Sequence, residues 1–305
     1  MPNFAEICLI MVTYFPREKT LSNIAHLSAT WTELELVVVD NSPCPHPPDT
    51  EVFFAELLQT YPRVHVIRNN ANAGIAAALN QGARYAIDRG YRWMVTLDQD
   101  TRLDPNYFLE IDKVLEFFPK GKPIAVIGVN YINTTSEKMG ETVSDDRLFV
   151  ETLAVITSGC FTSLEAYRMI GGFMERLFID MVDTEYCFRA RRNGFAVVFA
   201  NKPLMIHSIG VQEKIRWSGH EIKFSSHASY RYYYIFRNTL YMLKQYFCSD
   251  FFWSLTMVCK YLPKVFLKAM WTGAHRASLY NIACGIRDGV VSDFSNNPGK
   301  EGANR

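Results

Sequence analysis

Short apolar runs alternate with amphipathic stretches through the first half of this chain. Ile7–Thr13, Leu34–Asp40, Val64–Ile67, Arg92–Leu97 and Ile124–Val129 are brief and mostly apolar. Runs of that length, bounded by turn formers, predict buried strands. Between them Thr20–Ala29, Asp49–Thr60, Ala73–Arg89 and Asn106–Phe118 place apolar residues at helical spacing, and Gly90 closes the third. A loop rich in proline (Pro43, Pro45, Pro47, Pro48) follows the second strand. Strands alternating with helices predict βαβ units, right-handed crossovers and a mostly parallel sheet flanked by helices.

Beyond residue 150 the pattern changes. Val150–Thr157 reads as a further strand, Leu164–Ile170 as a short helix stopped by Gly171-Gly172, and Asp183–Asn193 as a helix with Gly194 just past its end. Ala196–Ala200 and Leu204–His207 read as two short strands. From about Ser226 to 285 the chain is helical in pattern, and Asn296-Asn297-Pro298-Gly299 predicts a frayed end. The expected organisation is an α/β domain over 1–210 and a helical C-terminal region over 211–305.

Composition is that of a globular protein of 305 residues. Charge is unevenly spread. Residues 1–210 hold 19 Lys and Arg against 25 Asp and Glu, whereas 211–305 hold 13 against 6. A basic C-terminal region suits an anionic partner. The seven cysteines form no C-x-x-C pair, which points to free thiols in a reducing compartment. Glu6 interrupts the first apolar stretch, so no signal peptide is expected. No run reaches the roughly 18–20 apolar residues that span a bilayer. The longest candidate, Phe251 to Met270, is broken by Lys260, Pro263, Lys264 and Lys268. The expected location is cytoplasmic, peripheral at the inner face of the cell membrane.

Candidate chemistry collects at the predicted strand ends. Thr13-Tyr14 ends the first, Asp40-Asn41 the second, Arg68 through Gly74 follows the third, and Asp98-Gln99-Asp100 ends the fourth. In an open α/β sheet ligands bind beyond the carboxyl ends of the strands. Two carboxylates at i and i+2 there can hold a divalent cation, Mg or Mn, against a diphosphate. Alternatively, Asp100 or Asp104 caps the helix near Pro105, and Asp40 serves the turn before Pro43. An acceptor after strand two also suits a ribose hydroxyl or a pyrimidine N–H. Amides at the start of the helix after Gly74 can face phosphate. A second acidic cluster holds Asp180, Asp183 and Glu185. Asp183, at a helix start beside apolar residues, suits a general base, and Glu185 suits the first helical turn. His207 follows an apolar run and becomes a metal ligand if the fold brings it to Asp100. Neither G-x-G-x-x-G after strand one nor G-x-x-x-x-G-K-[ST], G-x-S-x-G or H-E-x-x-H occurs, which excludes dinucleotide, P-loop and two hydrolase classes. Acidic pairs near the cleft exclude nucleic acid there.

Taken in order, these motifs resemble a known family. They are Val-Val-Val-Asp-Asn-Ser, Asn72-Ala73-Gly74 through Gly82, Leu-Asp-Gln-Asp, Ser158-Gly159, Gly171-Gly172-Phe173, Phe-Ile-Asp-x-Val-Asp-x-Glu-x-x-x-Arg and Tyr230 through Asn238. The pattern looks like glycosyltransferase family 2 with the GT-A fold, in its bacterial rhamnosyltransferase branch, and covers about residues 7 to 240. The resemblance implies that Thr13, Tyr14 and Asp40 hold base and ribose. It implies that Arg68, Asn72, Gly74 and Asn80 shape the diphosphate and sugar side, with Asp98 on ribose or metal. Asp100 and His207 would ligate the metal and Asp183 would be the base. Val182 stands where many members carry Glu, and Asp180 is a candidate for that missing charge. The implied donor is a dTDP-sugar, dTDP-L-rhamnose, and the implied acceptor a lipid-linked glycan in O-antigen or surface polysaccharide synthesis. Lys260, Lys264 and Lys268 lie on nearly one helical face beside Phe251, Phe252, Leu255 and Phe266, as on an interfacial helix at an anionic membrane. A nucleotidyltransferase of similar fold is disfavoured because Tyr14-Phe15-Pro16-Arg17 lacks the glycine-rich loop. A non-catalytic membrane-surface scaffold is the alternative from another class.

Overall fold

The structure, a computed structural model, describes residues 3–45, 48–133, 147–207, 212–217, 220–225, 228–271 and 275–291. Ser226, Pro47 and the tail at 296–299 lie outside the described residues. Two compact units are present: residues 1–176 with 182–208, and residues 177–181 with 209–305.

The first unit is a sheet with helices packed on it. Its elements are β1 (Ile7–Thr13), α1 (Glu18–Thr30), β2 (Glu35–Asp40), α2 (Pro48–Thr60), β3 (Val64–Arg68), α3 (Ile75–Asp88), β4 (Trp93–Asp98), β5 (Arg102–Leu103), α4 (Tyr107–Phe117), β6 (Ile124–Asn133), β7 (Phe149–Glu151), β8 (Cys160–Ser163), α5 (Leu164–Ile170), α6 (Val182–Arg192) and β9 (Ala196–His207). The strand order is β3-β2-β1-β4-β8-β6-β9-β5, with β7 beside β9. The first four strands are mutually parallel, while β8 runs antiparallel to both β4 and β6. Every residue of β1 is buried. That fits a strand covered on both faces, which reads as a continuous apolar run rather than an alternating one. Ile7, Leu9, Met11, Val38, Val95 and Ile127 belong to the main core.

The chain order leaves β1 for β2 on one side and for β4 on the other. This is the topological switch point, where an open sheet leaves a crevice at its strand ends. Thr13 is level with Asp40, and Val12 with Asp98, so the candidate strand-end residues meet along one edge.

Several boundaries differ from the sequence reading. Of the expected 150–157 strand only Val150 and Glu151 pair with β9, in a strand that starts at Phe149, and the Thr152 amide adds one more bond, to the Val197 carbonyl at 3.0 Å. The four residues Cys160–Ser163 form a strand that the pattern missed, because the run is too short and too polar to stand out. The two strands expected over 196–207 are one. Its neighbour β6 absorbs Pro203 through register shifts around Asn130.

In the second unit β10 (Gln212–Trp217) and β11 (His220–Ser225) pair antiparallel, which the helical reading did not anticipate. Helices α7 (Arg231–Tyr246), α8 (Phe251–Thr256), α9 (Leu262–Trp271) and α10 (His275–Val291) follow. Between α8 and α9, Met257–Tyr261 is a π turn. Pro263 cannot donate the next helical bond, and the wider turn accommodates that loss. Tyr232, Ile235, Phe236, Val265, Ala269 and Ile282 form this unit's core. A Cβ on Gly285 of α10 would stand 2.5 Å from the Tyr233 carbonyl oxygen, so only glycine permits this approach to α7. Among the described residues no helix is long and apolar enough to cross a membrane.

Candidate active site

The buried floor of the crevice is polar. Thr13 Oγ1 donates to Asp40 Oδ1 at 2.9 Å, and Ser42 Oγ donates to the same oxygen at 2.8 Å. Thr13, Asp40 and Ser42 are all fully buried. The Phe15 amide donates to Ser42 Oγ at 2.7 Å, and Phe15 takes a φ of 47° to do so. Tyr14 lies exposed above this floor, edge-on to Phe15 with ring centroids 4.7 Å apart. Its amide donates to Gln99 Oε1 at 2.9 Å, joining the β1 end to the β4 end across the switch point. Asn23 of α1 in turn donates to the Gln99 carbonyl at 2.9 Å.

Asn41 organises the loop beyond β3, a role the sequence did not disclose. Its Nδ2 donates to Asn72 Oδ1 (2.9 Å) and the Gly74 carbonyl (3.2 Å). Its Oδ1 accepts from the Ala73 amide (3.0 Å) and Asn69 Nδ2 (3.1 Å). Asn72 Oδ1 also accepts the Gly74 amide at 3.0 Å. Gly74 is the N-cap of α3 and has a φ of 86°, a conformation that glycine adopts without side-chain clash. An Asn-Asn pair in one loop is the only sequence signal for this network, and it is common in ordinary turns.

Two expected residues stand differently. Arg68 Nη1 bonds Glu51 Oε2 at 2.7 Å, with the guanidinium 4.6 Å from the Phe54 ring centre. Asn80 is buried and uses its whole amide internally. It donates to the Phe173 carbonyl and Glu175, and accepts from Tyr167 Oη and the Phe173 amide. It therefore pins the Gly171-Gly172-Phe173 turn.

Asp98, Asp100 and His207 come together at the end of β4. Each offers one ligand atom, and these atoms lie within 4.8 Å of one another. His207 Nε2 is 4.0 Å from Asp98 Oδ2, and Nδ1 is 3.8 Å from Asp100 Oδ1. Two hard oxygens and an imidazole at that spacing fit a divalent ion, given small inward shifts to bonds of about 2.0–2.2 Å. Thr101 Oγ1 lies 3.1 Å from His207 Nδ1 and is hydrogen-bonded to Ser158 Oγ, which also accepts the Asp98 amide at 3.2 Å. Ser158 and Thr101 thus orient the cluster from below.

Asp183 lies in the first turn of α6, where the helix dipole favours a carboxylate. The Thr184 amide donates to its Oδ1 at 2.7 Å. With Gly128, Tyr131, Val155, Ile156 and Phe199 it lines a cavity of about 240 Å³, and among the described residues it is the one acidic group in that wall. Tyr131 links the two acidic centres, since its ring also meets His207 edge-on at 5.8 Å. The buried Cys160 thiol is pushed well above its usual range, first by burial, then by Cys187 and the charges of Asp183 and Asp98.

The remaining acidic residues of this stretch are already committed. Glu185 is buried in a bidentate ion pair with Arg189, both bonds 2.8 Å. Asp180 pairs with Arg231, with Nη2 to Oδ1 at 2.8 Å, so its charge is neutralised rather than available beside Val182.

Comparison with known proteins agrees with this architecture. Residues 8–163 match the model for glycosyl transferase family 2, and 93–287 that for glycosyl transferase family group 2. The dTDP-rhamnosyl transferase RfbF of Shigella flexneri is 29% identical over 260 residues, 79% of this chain and 81% of that protein. The mannosyltransferase PcManGT from Pyrobaculum calidifontis, solved in complex with GDP-Man and Mn2+, superimposes with a TM-score of 0.54 at 12% identity, covering 93% of this chain and 86% of that one. S. aureus TarS superimposes with a TM-score of 0.52 at 12% identity over 96% of this chain, which spans 45% of the TarS chain. These likenesses establish the GT-A fold expected from the sequence. A family match over half the chain, on a sheet whose switch point gathers the family's acidic motif, establishes that this protein belongs to glycosyl transferase family 2.

Proposed function

We propose that this glycosyltransferase moves L-rhamnose from dTDP-L-rhamnose, with inversion, to a lipid-linked glycan acceptor in O-antigen or surface polysaccharide synthesis. The observation that carries the reading is the pairing of two acidic centres through one ring. The His207 ring of the Asp98-Asp100-His207 cluster meets Tyr131, and Tyr131 lines the cavity whose acidic group, among the described residues, is Asp183. The likeness to RfbF supports the donor.

Thr13, Tyr14 and Asp40 hold base and ribose, with Asp98 near the ribose or metal. Asn72 and Gly74 shape the diphosphate side, while Arg68 and Asn80 act from behind through Glu51 and Phe173. Asp98, Asp100 and His207 would hold Mg²⁺ or Mn²⁺. When bound, that ion supplies charge neutralisation for the departing diphosphate. An acceptor hydroxyl in the Asp183 cavity gives its proton to the carboxylate as its oxygen bonds to the anomeric carbon. The bond from that carbon to the diphosphate breaks, its electron pair leaves with dTDP, and a single displacement inverts the centre. At about 240 Å³ the cavity falls below the roughly 300 Å³ of the smallest usual ligand pockets, which suits one terminal sugar. Exposed Phe252, Leu255, Phe266 and Leu267 beside exposed Lys260 and Lys264 would rest on an anionic membrane carrying the acceptor, at the inner face.

General-base removal costs about 10²–10⁴-fold in rate. Asp183→Asn should therefore lose most turnover while binding dTDP normally in calorimetry. Normal turnover in that variant would refute the assignment. A thermal-shift panel with Mg²⁺ or Mn²⁺ should favour dTDP-rhamnose over UDP-sugars, and the opposite preference would refute the donor.

A further inference from the structure

The turn at 177–181 carries three backbone conformations that L-residues avoid. Phe178, Asp180 and Met181 have φ of 64°, 65° and 63°. In this left-handed region the side chain crowds its own backbone, and such residues persist only where surrounding contacts over-determine them.

Those contacts come from α7. Asn238, fully buried, donates from Nδ2 to the carbonyl oxygens of Leu177 (2.9 Å), Ile179 (2.8 Å) and Asp180 (2.9 Å). An amide carries two hydrogens, so three acceptors share them and the turn is drawn in around one nitrogen. Arg237 Nε donates to Asn238 Oδ1 at 2.9 Å, which fixes the amide's orientation, and its Nη2 reaches the Leu177 carbonyl at 3.2 Å. Arg231 grips the Asp180 carboxylate from Nε and Nη2, at 3.0 and 2.8 Å. The Tyr234 ring stacks on Phe178, with centroids 4.9 Å apart and planes 18° apart. A turn that only had to connect two elements could use glycine at these positions. This chain instead commits four side chains of α7 to holding non-glycine residues there.

Met181 is followed directly by Val182, the first residue of α6, and then by Asp183. The backbone of 177–181 therefore sets the direction in which the chain enters the helix that carries the proposed base. We infer that Asn238 and Arg231 are positioning residues for Asp183. They hold the turn in its left-handed form and so fix where α6 begins. The inference rests on Asp183 being the base.

The test uses the full chain with Asn238→Ala and Arg231→Met, measuring kcat, dTDP affinity and amide hydrogen exchange. Misplacement of a reacting group by about 1 Å costs on the order of 10²-fold. Asn238→Ala is expected to lower kcat at least about tenfold on that basis. Its dTDP affinity should stay unchanged, and faster exchange should be confined to 177–185. Adding Met181→Gly should restore part of the lost kcat, because glycine takes the left-handed conformation without needing the clamp. Arg231→Lys should retain more activity than Arg231→Met. The inference is overturned if kcat in Asn238→Ala matches wild type, if exchange rises throughout the chain with equal loss of dTDP affinity, or if Met181→Gly restores nothing. Wild-type turnover in Asp183→Asn would remove the base and with it the clamp's target, whereas exchange at 177–185 reports separately whether the clamp holds the turn.

Discussion

Arg189 and Glu185 stand one turn apart on α6 and meet fork to fork, Nε to Oε1 and Nη2 to Oε2, each at 2.8 Å. The same guanidinium donates to the carbonyl oxygens of Ile170 (2.9 Å), Gly171 (2.9 Å) and Gly172 (2.7 Å). One part-buried cation, paired with the buried Glu185, thus fastens α6 to the turn after α5. Asn80 holds that turn from its other side, through Phe173.

Removing one partner of such a pair leaves an uncompensated charge in the interior. Arg189→Met should destabilise the first unit by about 3–5 kcal/mol. Arg189→Lys should recover only part of this, because an ammonium cannot reproduce a fork that serves a carboxylate and three carbonyls together. Urea denaturation followed by circular dichroism reads both. A loss below about 1 kcal/mol, the level of an exposed pair, would show that the cluster is not what anchors α6.

The sequence disclosed the strand-end residues because chemistry and secondary structure coincide there. Thr13, Asp40 and Asp98 each close an apolar run, and a parallel sheet must bring those ends to one edge. Asp100 and His207 lie over a hundred residues apart. Only the family resemblance joined them, since nothing local in Leu204-Met205-Ile206 aims the next imidazole. Asn41 is legible only as a strand-end residue and Tyr131 not at all, because neither type nor spacing separates a loop-organising Asn or a cavity-lining Tyr from ordinary ones. Glu185 and Asp180 show the opposite failure. Both look available in the sequence, and each is neutralised by an arginine, at i+4 and 51 residues downstream. The pairing of β10 with β11 is not legible because their runs mix charged residues such as Lys214 and Arg216 with apolar ones, without the continuous apolar signal of the core strands.

Thr101 supports His207 from behind, with its hydroxyl 3.1 Å from Nδ1. Residues that orient a metal ligand typically matter about 10–100-fold in metal affinity. Thr101→Val should accordingly weaken Mn²⁺ binding by about that factor in calorimetry, while Thr101→Ser keeps it. Equal affinity in Thr101→Val and wild type would argue that Asp98, Asp100 and His207 do not form the binding site.

Glu110 of α4 is buried and accepts from Lys113 (3.0 Å) and Lys202 (2.9 Å). Burial pushes its carboxyl upward, but the bonds and charges of Lys202 and Lys113 outweigh this, and the net shift is below the usual carboxylate range. Its folded pKa is thus depressed relative to the unfolded chain. The stabilisation is present above the unfolded value and is lost as pH falls through the folded one. Both lysines are about half exposed, so the contribution should be modest, about 1 kcal/mol. Urea midpoints measured from neutral pH down through the acid range should fall more steeply for wild type than for Glu110→Gln. Parallel profiles would show that Glu110 is not linked to stability.

The face formed by α8, α9 and the π turn between them offers the last test. Phe252 is 83% exposed and Leu267 53%, with Lys260 and Lys264 exposed alongside. An apolar face on a solvated helix is unfavourable, and basic residues flanking one suit anionic headgroups. Each lysine near such a surface contributes about 1 kcal/mol. The double variant Lys260→Glu, Lys264→Glu should therefore bind anionic vesicles at least about 30-fold more weakly than wild type. Phe252→Asp should weaken binding to the same vesicles through lost apolar insertion. Screening shortens from about 10 Å at 0.1 M salt to about 3 Å at 1 M, so high salt should reduce wild-type binding and leave the charge-reversed variant little changed. Sedimentation with anionic and with neutral vesicles reads all of these outcomes. Wild-type protein that stays in the supernatant with anionic vesicles at low salt would show that this face serves something other than a membrane surface.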